Sequence, residues 1–481
     1  MNLIDRPVVA TESGRVRGAS VDGVAAFRGI PYAASPVGER RFAAPARHPA
    51  WSRVRDAARP GPSVPQSPSR LEAVMGRRTP DWDEDGSLTL NVWTPRPSGD
   101  GALPVLLWFH GGGFTSGSGG WDWYDGRHLA AAGDIVVVTA NYRLGPLGYL
   151  HLPEFGIDNL GVQDQTAALA WVHRNIAPFG GDPDNVTVGG QSAGAFSALY
   201  LALSPATGPH ITRLITQSGP YGLAPQDPAE AADHTRRYLD LLGIGGPDPR
   251  TALRIVPVSE LLSAYGQLAQ DVARPGNVAP PMYPVLGAFG MPAPWQQAVA
   301  AGRLGGKQLL TGTTRDEMTA FFAFDPRIRA LAADEARAIV AGQVADGGER
   351  YDRAAARLPQ AAPGDILTEL ATDLVFRDGT VTLADHHATA GNPAYVYRFD
   401  RAPVDDPARL GATHCAELPF LFGTFDAYPD SPMLGEATAA VRALGAAFSR
   451  AVAGFVASGR PATDRWHPYE PGRPASIRHF A

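Results

Sequence analysis

A chain of 481 residues with 44% hydrophobic and 19% charged residues can bury a large core, and length alone would accommodate roughly two to four domains. Its formal net charge of −6 gives no basic footprint for nucleic acid or an anionic membrane surface. Cys415 is the only cysteine and Lys307 the only lysine, so an intrachain disulfide and a thiolate metal site are excluded, and any Ser–Lys or Schiff-base chemistry would have to use Lys307.

Met1 to Gly18 lacks a basic segment followed by an apolar one, since Asp5 and Arg6 interrupt it, and no apolar run nears the ~20 residues of a bilayer span. A cytoplasmic protein without a membrane partner is expected. There is no internal repeat. Pro/Gly/Ser clusters at 60–69, 245–249 and 275–294 mark loops, and none separates halves of different composition. One domain over 1–481 is therefore expected, with helical or loop insertions around 225–300 and 320–390.

Short β-branched runs recur along the chain, each ending in a glycine-rich or polar turn. Pro104–Phe109 leads into Gly111–Gly113, Asp134–Ala140 into Asn141, and Val186–Val188 into Gly189–Gly194. Leu214–Thr216, Gln308–Leu310 and Ala394–Phe399 follow the same plan, and the stretch Gly161–Ile176 between them is helix-like. Near the C-terminus Val441, Leu444, Phe448, Val452 and Phe455 recur at helical spacing. Continuous apolar strands alternating with helices predict an α/β protein with a mostly parallel sheet covered on both faces. In such sheets sites form beyond the carboxyl ends of the strands.

Gly190-Gln191-Ser192-Ala193-Gly194 reads G-x-S-x-G between a strand-like run and the helix-like Ala195–Leu203. That context is what a nucleophile elbow requires, because a sharp strand-to-helix turn lifts the serine hydroxyl off the sheet. Acyl transfer also needs donors for the oxyanion. His110-Gly111-Gly112-Gly113-Phe114 matches the H-G-G-G loop that supplies them from its backbone. The triad order on this fold is Ser, then Asp or Glu, then His, so acid and base are sought beyond Ser192 in that order. Neither H-E-x-x-H nor a calcium-type acidic loop occurs, and no cofactor or metal is expected.

With these motifs the chain resembles the type-B carboxylesterases, an α/β-hydrolase family that includes bacterial para-nitrobenzyl esterases, animal carboxylesterases and cholinesterases. The resemblance runs nearly end to end. It rests on Phe27–Ala33, Glu84–Val92, Asn141–Gly145, Asp158–Gly161 with Asp164-Gln165, Phe179–Pro183 and Gln217–Gly219. It implies a central sheet with helices on both faces and a Ser–His–Glu triad. By the family pattern Gly112 and Gly113 donate to the oxyanion together with the Ala193 amide, and His110 shapes the loop.

Gly312–Glu317 resembles the family's acid loop, in which the second carboxylate acts; this points to Glu317, with Asp316 as rival. Five histidines follow: His386, His387, His414, His467 and His479. Only His414, ahead of Ala416–Gly423, matches the family's histidine segment. Ser218 corresponds to a serine behind the triad near the acid. Arg143 with Asp164, and Arg41 with Glu84, resemble bracing ion pairs.

Four departures stand out. Gln191 replaces a usual glutamate beside the nucleophile. Gly189 replaces a common phenylalanine, which would open space under the elbow. Cys415 replaces a glycine, as a small loop side chain. The cysteine-bounded loop of cholinesterases is missing, which argues against that activity. Phe114, Trp121, Trp123, Phe321 and Phe322 border the oxyanion and acid loops and are candidate pocket walls. The expected function is hydrolysis of small to medium carboxylic esters through an acyl-enzyme, with a small-molecule ester as partner. The alternatives are an amidase or carbamate hydrolase on the same triad and, more remotely, a non-catalytic adhesion-type relative. The sequence carries no sign of oligomeric state.

Overall fold

Alternation within the apolar runs decides the layering. In Leu103–Phe109, Leu106 and Trp108 point to one face and Val105, Leu107 and Phe109 to the other, and all five are fully buried. A strand buried on both sides must lie inside a sheet covered twice. The computed structural model describes residues 6–78, 81–97 and 102–481, so Met1–Asp5 of the N-terminal stretch lie outside it.

The main sheet has ten strands: β1 (Ala19–Val21), β2 (Val24–Pro31), β3 (Thr89–Thr94), β4 (Leu103–Phe109), β5 (Val136–Ala140), β6 (Gly181–Gln191), β7 (Arg213–Gln217), β8 (Gln308–Thr314), β9 (Ala394–Phe399) and β10 (Arg478–Phe480). Their order is β10-β9-β8-β7-β6-β4-β5-β3-β2-β1. From β5 to β10 every pairing is parallel; β3 joins β5, and β2 and β1 follow, antiparallel. The sequence located β4 to β9 and missed the edge strands β1 and β10 and the antiparallel strands β2 and β3.

One face is covered by helices Leu160–Asn175, Ala193–Leu203 and Asp378–Thr389, with Leu169, Val172, Phe196 and Leu383 buried against Val105 and Leu107. The other is covered by Arg127–Gly133 and Ala439–Ser458, with Leu129, Phe448, Val452 and Phe455 packed in one cluster with Trp108, Ile215 and Tyr397. Each such side chain contributes about 1.5–3 kcal/mol when fully buried. By length and composition Ala439–Ser458, with a mean hydropathy of 1.3, could also cross a bilayer; here it lies on the sheet.

The two stretches expected as insertions contain helices. Pro228–Leu241, Pro249–Ile255 and Val258–Val272 lie in the first, and Thr319–Phe322 through Pro363–Thr372 in the second. The second stretch builds a small core of its own around Phe322, Ile328, Val340 and Leu367. Both expected ion pairs form. Arg143 Nε and Nη2 each lie 2.7 Å from the Asp164 carboxylate, fully buried, and Arg41 grips Glu84 with Nε–Oε1 at 2.6 Å.

Candidate active site

Strand β6 ends at Gln191, and the helix Ala193–Leu203 begins two residues later, which forces Ser192 to φ 57° and ψ −123°. L-residues rarely adopt that conformation, and it persists only when the surroundings impose it. The flanking glycines show how. A Cβ on Gly190 would lie 2.3 Å from the Gly194 carbonyl carbon, and one on Gly194 would lie 2.0 Å from the Phe109 oxygen. Strand, turn and helix touch backbone to backbone, and the serine is aimed out of the sheet with only 8% of its surface exposed. The space expected under the elbow at Gly189 is not open. The Trp108 indole fills it, 3.1 Å from where a Cβ would stand.

The loop after β4 curls over this serine. Gly112 has φ 113°, and a Cβ there would fall 2.0 Å from the Ser116 oxygen, so no other residue fits. Its carbonyl accepts from the Thr115 and Ser116 amides, while the Gly112 and Gly113 amides have no acceptor among the described residues. Ala193 opens its helix, where N–H groups lack intrahelical partners. His110 is stacked on Tyr142 with ring centroids 4.5 Å apart, and its Nδ1 lies 2.7 Å from the Gly111 oxygen. Burial pushes its pKa down to about 4, so it is a neutral packing group that shapes the loop.

Glu317 and His414 leave the ends of β8 and β9 and meet in the interior. His414 Nδ1 lies 2.5 Å from Glu317 Oε2, and the other carboxylate oxygen accepts from the Thr314 amide at 2.7 Å. Both residues are fully buried. Asp316 points the other way, as neighbours on a tight loop must. Its N–H donates to the Ala412 carbonyl at 2.9 Å, and its Oδ2 accepts from the Ala412 amide at 2.8 Å and from Arg315. Of the other late histidines, His387 contacts the Lys307 carbonyl and His479 the Asp400 carboxylate.

With Nδ1–H engaged by Glu317, His414 presents a lone pair at Nε2. The Gln191 side-chain amide reaches it at 3.1 Å, and among the described residues the Ser192 hydroxyl makes no hydrogen bond to it. Catalytic hydrogen bonds often tighten only with substrate bound. A carboxylate at this position would favour the imidazolium instead. At about 4 Å that is worth about 1–4 kcal/mol between water-like and partly shielded surroundings, or roughly 1–3 pKa units. Gln191→Glu is therefore expected to move the acid limb of kcat/KM upward in pH at low salt. An unmoved or lowered limb would show that the position is not coupled to His414.

Ser218, expected near the acid, faces a second carboxyl whose pKa the charge of Glu317 helps to raise. Its hydroxyl lies 3.4 Å from Glu417 Oε1, and Glu417 Oε2 has no hydrogen-bond partner among the described residues. Burial, and then the charge of Glu317, push the Glu417 pKa well above the usual carboxylate range. The sequence offered Glu417 only as one letter of a matching segment.

Two narrow recesses of about 30 Å³ each meet at Ser192. Trp121, Trp123, Gln191 and His414 line one, Phe114, Ala193 and Phe376 the other, and Phe321 and Arg70 both. Phe322 does not belong here. One residue along a helical turn from Phe321, it faces about 100° away, into its own small core and the 610 Å³ cavity behind Asp316. Phe376, with its ring 4.9 Å from that of His414, and Arg70 were missed because no local pattern marks a wall residue brought from so far along the chain. Cys415 is buried beside His414 at φ 72°, and burial pushes its thiol well up, away from the reactive thiolate. No group of three or more His, Cys, Asp or Glu among the described residues is placed to hold a metal.

The model of the carboxylesterase family matches residues 5–478. The chain is 38% identical to a para-nitrobenzyl esterase of Bacillus subtilis (strain 168), over 96% of this chain and 92% of that one. It is 34% identical to a phenmedipham hydrolase of Pseudarthrobacter oxydans, over 99% and 95%. Among solved structures, a Geobacillus stearothermophilus carboxylesterase at pH 6.2 superposes with a TM-score of 0.85 at 35% identity, covering 98% of this chain and 96% of that one. A para-nitrobenzyl esterase superposes at 0.84 and 35%, covering 97% and 94%. With relatives matched along almost its whole length, this chain belongs to the carboxylesterase family and is a serine carboxylic ester hydrolase on an α/β-hydrolase fold.

Proposed function

We propose that Ser192, His414 and Glu317 form the catalytic triad and that the enzyme acts on small to medium esters. The observation that carries this is the buried 2.5 Å contact of His414 with Glu317 beside a serine held in a strained elbow. Substrate displaces the Gln191 amide from the imidazole, and His414 Nε2 takes the Ser192 proton as Oγ attacks the carbonyl carbon. Glu317 holds the reactive tautomer and steadies the imidazolium. The Gly112, Gly113 and Ala193 amides donate to the oxyanion, each typically contributing a factor of about 10²–10³. The C–O bond breaks, the alcohol leaves with the proton from His414, and water then cleaves the acyl-enzyme by the same route. Narrow recesses on either side of Ser192 favour short acyl and alcohol groups.

The test is a panel of p-nitrophenyl esters of graded acyl length, with a matched anilide and a carbamate, together with a fluorophosphonate probe. Turnover should peak at short acyl chains, and the probe should attach once, at Ser192. Labelling of another serine, or faster cleavage of the anilide or carbamate than of the ester, would refute the reading.

A further inference from the structure

Arg70 is a cation at the reaction centre whose charge nothing in the fold uses. Its side chain is exposed, yet it lines both recesses that meet at Ser192 and also the 520 Å³ cavity outside them. Nη1 donates to the Val278 carbonyl at 2.7 Å, which fixes the guanidinium, and the group lies 5.1 Å above the Phe321 ring. Nη2 would stand 2.9 Å from a Cβ on Gly113, so the cation overhangs the loop assigned to the oxyanion. No carboxylate lies within ion-pair distance of it among the described residues, whereas Arg78, Arg237 and Arg327 nearby each have one. Crowding by protein draws its proton affinity below that of a free arginine, as befits a cation partly stripped of water. In the outer cavity Arg237 and Arg327 are neutralised by Asp233 and Asp325, Arg274 has no acidic partner among the described residues, and Glu230 is the single acidic lining residue.

A fixed, water-accessible guanidinium with unspent donors beside a nucleophile is a binding site for a planar anion. We infer that Arg70 recognises a carboxylate on the substrate, and that the preferred esters carry a carboxylate on the acyl or alcohol part a few atoms from the scissile carbonyl. This rests on the ester-hydrolase reading of the same site. A guanidinium serving only as a brace for the Val278 backbone would affect all esters alike; one serving a substrate anion affects only those that carry it.

The experiment compares kcat/KM for two shape-matched pairs that differ in charge: 3-acetoxybenzoate with 3-acetoxybenzamide, and the mono-p-nitrophenyl ester of adipic acid with its terminal amide. A charge-assisted hydrogen bond of about 1.5–3 kcal/mol corresponds to roughly 10–150-fold, so Arg70→Gln is expected to lower the anionic-to-neutral ratio at least fivefold in one pair or both. Arg70→Lys, which keeps the charge, should recover part of that ratio. If both ratios change less than fivefold in Arg70→Gln, the inference is wrong, however far the absolute rates fall. The wild-type enzyme gives a check that needs no variant: benzoate should inhibit p-nitrophenyl acetate hydrolysis at least fivefold more strongly than benzamide, and equal inhibition counts against the proposal. Failure of the ester reading would look different, as absence of turnover on the neutral members in the wild type.

Discussion

Ser192→Ala is expected to lower kcat on p-nitrophenyl butyrate by about 10⁴–10⁶ while leaving the fold intact, because members of a triad fail as a unit. The size follows from what remains. In the proposed site the Gly112 and Gly113 amides, which have no acceptor among the described residues, remain available to the carbonyl oxygen, and His414 keeps its 2.5 Å contact with Glu317, but the covalent route is lost. Alanine retains the Cβ, so packing around the elbow changes little. Because Ser192 holds φ 57° and alanine is no better suited to that region, thermal stability should neither rise nor fall by much. The measurement is steady-state kinetics with a melting curve on the same sample. Turnover within tenfold of wild type would remove Ser192 from the mechanism.

The second large effect concerns the acid. Glu317→Gln should lose about 10⁴ in kcat with little change in KM, since an amide can hold the imidazole in the wrong tautomer and cannot steady the imidazolium. Asp316→Asn removes charge from a residue whose carboxylate serves the Ala412 amide and Arg315, so its kcat should fall tenfold at most and its cost should appear in the melting temperature. Adjacent carboxylates, changed in the same isosteric way, thereby separate chemistry from scaffolding. A larger loss of kcat in Asp316→Asn would move the acid to Asp316 and refute the assignment of Glu317.

How much of this was visible in the sequence depended on the range of the signal. Strands β4 to β9 declared themselves because a strand buried on both faces is a continuous apolar run, whereas β1 and β10 are three-residue edges with no such pattern. The elbow and the glycine loop were visible because backbone contact as close as Gly194 against Phe109 excludes every side chain, and that leaves a motif. Glu317 and His414 were placed only through family resemblance, since nothing local distinguishes Glu317 from Asp316 until β8 and the loop after β9 are set side by side. Three features had no local signature. The Trp108 indole under Gly189 crosses from a neighbouring strand, Phe376 arrives on a distant helical turn, and the Glu417 pKa is raised only through burial beside another carboxylate.

The backbone pairing of Asp316 with Ala412 bears on how such an enzyme diversifies. The two hydrogen bonds between these residues clasp the start and the finish of a long excursion of the chain, and Glu317 and His414 sit on its two sides. The chain from Met318 to Gly411 leaves and returns through that clasp, first as the helices from Thr319–Phe322 to Pro363–Thr372, then as Asp378–Thr389 and β9, which belong to the sheet and its cover. The excursion supplies walls such as Phe321 and Phe376, but the Glu317–His414 contact lies at its neck. The helices between Thr319 and Thr372 lie outside the sheet, so they can lengthen, shorten or be exchanged while the Glu317–His414 contact keeps its geometry. With the proposed triad, selectivity and reactivity are thus separately heritable in this architecture: new substrates can be reached by rebuilding those helices without retuning the chemistry.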